Sequence, residues 1–340
     1  MQQMAVSPLY VAAELEARRR WSNHEFGEAA NKARAAADIA RQDEDCDSWR
    51  SMTILQAESL LAAGDFEGCA AVVRDLLGGD GILAPQLRAQ AHILMAKALQ
   101  GSGLLDESAD EARAAAELAK DEDDVEINVM ARQALIGALA DSGQVEQAWA
   151  ESLVLADAIS AEVDDQLVGK AYWVIGNVAF LCNRVADGLD YHELAASTFS
   201  PARNLGIWAR FNTASAAMRL AADIADADTL RCIDRAELAI DVIGGSDEDR
   251  TLLKLNRGHW NFLAGDPAAA IEVLGEILPN QDKATPQILG EVCLLLGRAH
   301  DAVGNGSSAR EYLLQAVDHF EAAGAPQRAD QANVFLAALG

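Results

Sequence analysis

Positive charge is scarce in this sequence: 27 lysines and arginines stand against 53 aspartates and glutamates, a formal net charge of −26 over 340 residues. No basic face is evident that would release counterions from a phosphate backbone, so no direct nucleic-acid partner is expected. The one dense basic cluster, Arg18-Arg19-Arg20, sits within a helix of mixed composition, and the acidity as a whole suits a cationic ligand. Cysteine is also scarce. The five residues at 46, 69, 182, 232 and 293 are far apart, odd in number and without a CxxC pair, which fits buried thiols in a reducing cytoplasm better than disulfides or zinc. No apolar run approaches the roughly 20 residues that span a bilayer. The start, MQQMAVSPLY, lacks a charged stretch followed by an apolar core, so neither a membrane partner nor a signal peptide is expected.

Catalytic signatures are missing as well. The six histidines (24, 92, 192, 259, 300 and 319) are scattered, with no HExxH and no His-Cys pairing at helical spacing. No phosphate-binding glycine loop and no GxSxG elbow occurs, so the chain reads as a non-enzyme with no metal and no cofactor. His192-Glu193 reads as a pair on a helix surface.

What the chain does have is alanine and leucine. Hydrophobic residues make up 51% of it, and only 5% of the chain is aromatic. Strong helix formers dominate, and no stretch alternates as a half-buried strand does. The stretch 55–77, LQAESLLAAGDFEGCAAVVRDLL, reads as an apolar helix, a tight turn at Gly64-Asp65 and a second apolar helix. Turns of this kind recur at 24, 64, 103, 143, 183, about 225, 265 and 304, a mean period of 40 residues. Small residues stand seven before the turn at Ala17, Ala57, Ala96, Gly176, Gly258 and Gly297, and five after it at Ala29, Cys69, Ser108, Ala148, Gly188, Ala270 and Ala309. Two helices cross closely only where both side chains are small. Repeat four departs from this with Ile136, and repeat six has an over-long turn region around Asp226.

Prolines and acids keep the same phase. Pro8, Pro85, Pro201, Pro286 and Pro326 fall where first helices begin, Pro267 opens a second helix, and Pro279 lies in a connection. The acidic runs at 43–47, 121–124, 164–165 and 246–249 lie between repeats, where carboxylates cap the next helix. The expected repeats span about 7–47, 48–83, 84–124, 125–164, 165–200, 201–246, 247–284 and 285–324, with a capping helix at 325–340.

This hairpin, with its small residues, turn Gly-Asp, aromatic and Ala, resembles the tetratricopeptide repeat (TPR), although the usual repeat is about 34 residues. Repeats a helical turn longer are similar to the TPR arrays of bacterial regulators that sense peptides or small ligands. The resemblance implies one all-α domain: a right-handed TPR-like superhelical solenoid of eight hairpins with its first helices lining a groove. It also implies a cytoplasmic regulatory module that binds a protein or peptide in that groove. Because the repeats begin by residue 8, no room is expected for a helix-turn-helix ahead of them; any effect on transcription would pass through a partner, or this chain lacks a domain found in relatives. The alternative is a scaffold that assembles complexes or homodimers through its convex face or its end repeats.

Groove-facing positions lie ten, six and three before each turn. They offer Lys97 in repeat three, Gln133 in repeat four, Trp173, Asn177 and Phe180 in repeat five, His259 in repeat seven and Arg298 in repeat eight, with Asn212 and Arg219 in repeat six. Seven of the 18 aromatics fall within 172–211. There they form either an apolar wall for a peptide whose backbone the amides would bind, or simply core.

Overall fold

The computed structural model describes residues 7–79, 83–120, 124–159 and 163–339, without the side chains of residues 281 and 283. Among them are 17 α-helices, one 3₁₀ segment and no strand. The chain divides into two compact units, Met1–Thr198 and Phe199–Gly340. The N-terminal unit holds five hairpins: α1 (Pro8–Ser22) with α2 (Phe26–Gln42), α3 (Cys46–Ala62) with α4 (Phe66–Gly78), α5 (Pro85–Gly101) with α6 (Leu105–Ala119), α7 (Val125–Asp141) with α8 (Val145–Ala158), and α9 (Asp165–Leu181) with α10 (Val185–Thr198). The C-terminal unit holds three: α11 (Leu205–Ala221) with α12 (Ala227–Ile243), α13 (Asp247–Leu263) with α14 (Pro267–Gly275), and α15 (Pro286–Ala302) with α16 (Gly306–Ala322). It ends in the single helix α17 (Pro326–Ala338).

Each hairpin turns on one left-handed residue. Glycine fills this place at 64, 103, 143, 265 and 304, while His24, Asn183 and Asp223 take it with φ of 60, 56 and 58°. Glycine adopts that conformation without strain and asparagine or aspartate tolerate it. In seven hairpins the next residue is the N-cap of the second helix. Repeat six differs: its turn residue is Asp223, and Ile224 and Ala225 intervene before Asp226, which caps α12 by accepting from the Thr229 amide at 2.8 Å. The turn expected at about 225 is therefore displaced. Counted from Asp223, the small position seven before it is Ala216, which is fully buried.

The small residues meet where the helices cross. Ala17, Ala57, Ala96, Ala29, Cys69, Ser108, Ala148, Ala270 and Ala309 are all 1% exposed or less. A Cβ on Gly258 would lie 2.5 Å from Leu274 Cγ, and one on Gly297 would lie 2.6 Å from Leu313 Cγ. On Gly176 it would lie 2.3 Å from the ring of His192. His192 is thus buried in the space its hairpin glycine leaves, not paired on the surface as expected. The capping acids behave as read: Asp45, Asp124 and Asp164 accept amide hydrogen bonds, and Ser246 with Asp249 forms a capping box. Residues 121–123 of the acidic run lie outside the described residues.

Pro279 lies in the connection after α14, as expected, within the 3₁₀ segment Leu278–Lys283. Ser7 is the N-cap residue of α1, though its side chain takes no capping bond. Two expectations of detail need correction. Pro201 lies in a turn before α11, whose cap is Asn204. Of the cysteines, Cys46 is exposed and Cys182 half-buried, whereas 69, 232 and 293 are buried.

Within each unit the first helices touch in sequence: α3 with α5, α5 with α7, α7 with α9, and likewise α11 with α13 and α13 with α15. No two second helices approach so closely among the described residues. The first helices therefore line the inner side of each stack. No described helix is long and apolar enough to cross a membrane.

The crossings make opposite predictions for two helix glycines. Gly176→Ala should destabilise by about 1–3 kcal/mol, because the added methyl overpacks against His192. Gly137 on α7 has only Gln100 Nε2 near its Cβ position, at 3.7 Å. Gly137→Ala should stabilise by roughly 0.5–1 kcal/mol through helix propensity alone. Denaturant melts read both, and equal effects of one sign would contradict the packing account.

Candidate functional site

Counting six residues back from each turn gives one row along the inner helices of the N-terminal unit: Arg18, Glu58, Lys97, Gly137 and Asn177 on α1, α3, α5, α7 and α9. At the start of this row lies a cleft of about 440 Å³ whose lining includes Arg18, Arg50, Ser51, Ile54, Glu58 and Gln90. Gln90 Nε2 donates to Glu58 Oε1 at 3.2 Å, joining α5 to α3. Burial pushes the Glu58 carboxyl above its ordinary pKa, opposed by that hydrogen bond and by Lys97 and Arg18. Lys97 is an exposed residue of this surface, with protein crowded around its side chain. Desolvation lowers its pKa, the neighbouring Lys170 ammonium lowers it further, and Glu58 opposes both. Lys97 forms no ion pair with a described residue.

The amides of this surface are largely occupied. Gln133 Nε2 donates to the Leu167 carbonyl at 3.1 Å, linking α7 to α9, and Gln100 Nε2 donates to Asp141 Oδ2 at 2.5 Å, linking α5 to α7. Asn177 Oδ1 lies 3.1 Å from His192 Nε2, and the Phe180 ring packs on His192 with 5.2 Å between centroids. Both side chains turn toward the second helix of their own hairpin. Trp173 is half-buried on the inner row. The Arg18–Arg20 cluster is neutralised locally by Glu14, Glu16 and Glu25.

In the C-terminal unit two expected residues do not face the groove. Asn212 is fully buried and donates through Nδ2 to the Trp208 carbonyl at 2.8 Å. Arg219 is 7% exposed and acts on Asp226 through space. Both were placed with a turn near 225. With the turn at Asp223 they fall eleven and four residues before it. In other repeats the position eleven before the turn points at the second helix, as His92 does when it meets Glu111 at 2.6 Å. The aromatics Phe199 and Phe211 pack on each other at 5.2 Å and are core.

His259 on α13 and Arg298 on α15 each stand six residues before their turn glycines, 265 and 304. Burial pushes the His259 pKa down to about 4, helped by Arg298 and Arg328 and opposed by Asp223. The Arg298 guanidinium carbon lies over two rings, 4.7 Å from the centre of Phe262 and 4.8 Å from that of Phe335. The same count from the turn reaches Glu58 in repeat two, which the sequence reading did not extend to. Phe335 comes from α17, outside the repeat, and no repeat signal points to it.

Inner first helices, outer second helices and close small-residue crossings define an α-solenoid of helical hairpins. No family model matches the chain, and no curated protein matches it. Solved structures do. The chain is similar to the apo form of the quorum sensor NprR from B. thuringiensis, with a TM-score of 0.67, 11% identity, 92% of this chain covered and 87% of that one. It is similar to the Rap conjugation gene regulator of plasmid pLS20 in complex with the Phr* peptide, at TM-score 0.57 and 13% identity, with 99% of each chain covered. It is similar also to the Cut9–Hcn1 hetero-tetramer of the APC/C, at TM-score 0.63, 12% identity and 96% coverage of this chain, which spans only 56% of the length of that one. These neighbours are TPR-type proteins, and the chain has the TPR-type fold.

The half-buried, desolvated His259 yields a pH prediction. Its folded pKa of about 4 lies below the ordinary 6.5. The stability it contributes is therefore complete above pH 6.5 and lost as pH falls through 4, up to about 3 kcal/mol. NMR titration of the imidazole should give a midpoint near 4, and His259→Gln should flatten stability across this window. A midpoint at or above 6.5 would contradict its burial as a neutral ring.

Proposed function

We propose that the chain is a non-enzymatic recognition module whose inner first-helix surface holds a protein or peptide segment, serving a regulatory role in a bacterial cytoplasm. The observation that carries this is the inner row of the N-terminal unit. An exposed Lys97 without an ion pair, a mid-helix Gly137 whose Cβ position has only Gln100 Nε2 near it and the half-buried Trp173 lie on adjacent helices that touch. A helix-interior glycine costs stability, and an open one on a concave face suits close approach of another backbone. An exposed lysine with no ion pair is free to meet a carboxylate or carbonyl of a ligand. Together they offer a cation, an aromatic wall and a bare strip of backbone, which an extended peptide can use.

Two structural neighbours support this class by their descriptions, one as a quorum sensor and one as a gene regulator in complex with a peptide. A part in a transcription-regulatory system follows that analogy. The Cut9–Hcn1 assembly favours the second reading, a scaffold for protein complexes or homodimers. Exposed Leu153 and Leu194 on the second helices α8 and α10 are the kind of residue such a scaffold would use.

Affinity capture from lysate separates the two. Lys97→Ala/Trp173→Ala should reduce retention of the partner at least ~10-fold, with helicity and melting preserved, whereas Leu153→Ala/Leu194→Ala should leave it unchanged. The reverse pattern would favour the scaffold and overturn the groove reading.

A further inference from the structure

The cleft at the start of the inner row opens where one pair of first helices stands apart. Each of α3, α5 and α7 touches the first helix that follows it, whereas among the described residues α1 and α3 do not approach so closely. One face of α3 is left uncovered. Asp47, Ser51, Ile54 and Glu58 lie on it at helical spacing and line the 440 Å³ between Arg18 of α1 and the first turns of α5. Most charges of this lining are already matched: Arg18 pairs with Glu14 at 2.9 Å, and Arg50 with Asp47 at 3.3 Å. Glu58 differs. It forms no ion pair with a described residue, and Lys97 and Arg18 act on it only through space. Its one described hydrogen bond is the one Gln90 donates to Oε1, and Oε2 accepts none from a described residue.

We propose that this cleft binds a small organic monocation, a primary ammonium on a hydrocarbon body, with Glu58 as its counter-ion. The site goes beyond the peptide reading: it takes a small molecule, at one end of the inner surface, and needs no peptide partner. Burial pushes the Glu58 carboxyl above its ordinary pKa, so the contacts around it do not fully replace the water it has lost. An ammonium supplies both the opposite charge and the donors. It would donate to Oε2 while Gln90 keeps Oε1, a charge-assisted pair shielded by protein on three helices. Ile54 and Leu87 give the hydrocarbon body an apolar wall, and the volume falls within the range of small-molecule sites. The neighbours also limit the ligand's charge. Arg18 and Lys97 lie close enough to act on the Glu58 carboxyl, and they would repel a second ammonium. One positive charge fits, and a diamine does not.

The test titrates hexylammonium and benzylammonium onto the full chain, followed by ligand-observed NMR, with 1-hexanol, benzyl alcohol and 1,6-hexanediammonium for comparison. At least one of the two monoammonium probes should bind saturably, at least ~10-fold more tightly than its alcohol and than the diammonium. Glu58→Gln, which keeps the shape and the acceptor for Gln90, should weaken that binding at least ~10-fold. Leu87→Ala should weaken it as well, through the hydrocarbon body. Glu107→Gln, on the outer helix α6, should leave it unchanged, which separates a site from diffuse attraction to an acidic chain. Failure of both probes to saturate by about 10 mM would overturn the site. So would equal binding of ammonium and alcohol, binding indifferent to Glu58→Gln, or a diammonium that binds as tightly as the monoammonium.

Circular dichroism melts accompany each variant. Glu58→Gln removes a half-buried charge and should melt no lower than the wild type. Should it fail to fold, the wild type decides the site alone. The Gln90 side-chain amide signals of ¹⁵N-labelled protein should shift with the same midpoint as probe binding. Gln90 signals that stay still while the probe binds would put the cation elsewhere and overturn the site. Because the probe meets the chain without any partner, this site and the peptide reading stand or fall separately.

Discussion

The close crossing of two helices at a pair of small side chains is the contact on which the rest of the structure depends. Where Ser108 Oγ donates to the Ala96 carbonyl at 2.8 Å, both residues are 1% exposed, and a Cβ on Gly297 would lie 3.2 Å from the Ala309 carbonyl oxygen. Such a crossing fixes the rotation of the first helix about its axis, and rotation decides which residues face inward. Residues six and ten before the turn inherit their exposure from it. When the crossing partner is large, as with His192, the opposing position must be glycine, and Gly176 supplies it. Helix propensity gives helices, but this packing rule makes them a stack with a defined inner row.

Inward facing does not make a residue available. Successive first helices are close enough that long amides reach across, and Gln90, Gln100 and Gln133 all hydrogen-bond to the neighbouring inner helix or its carboxylates. These bonds hold the surface together and remove the amides from the pool of ligand contacts. What the stack leaves unused on the inner row of the N-terminal unit is Lys97 and the backbone at Gly137. Under the proposed reading these are the parts of the surface a ligand would cover.

The hairpins, their left-handed turns and their caps were legible because each depends on local residues at fixed offsets. Gly64-Asp65 carries its own turn and its own N-cap, and so does Gly265-Asp266-Pro267. Repeat six was misplaced because aspartate, not glycine, takes the left-handed position, and because two extra residues separate turn from cap. That slip moved Asn212 and Arg219 onto an inner row from which the structure removes them. The burial of His192 had a readable signal in the paired glycines 176 and 188, which leave a void that something must fill. The placing of Arg298 over two rings had none. Its second ring, Phe335, comes from the terminal helix 37 residues along the chain, beyond the repeat, and only tertiary structure brings it there.

The central claim is that the ligand face is the inner one. A photo-crosslinking amino acid placed at Lys97, on the inner row, and in a second variant at Leu153, on an outer helix and 46% exposed, addresses it in living cells. The account predicts a covalent adduct to a partner from position 97 and none from position 153. An adduct from 153 with none from 97 would contradict it, and would make the outer helices the surface by which this protein acts.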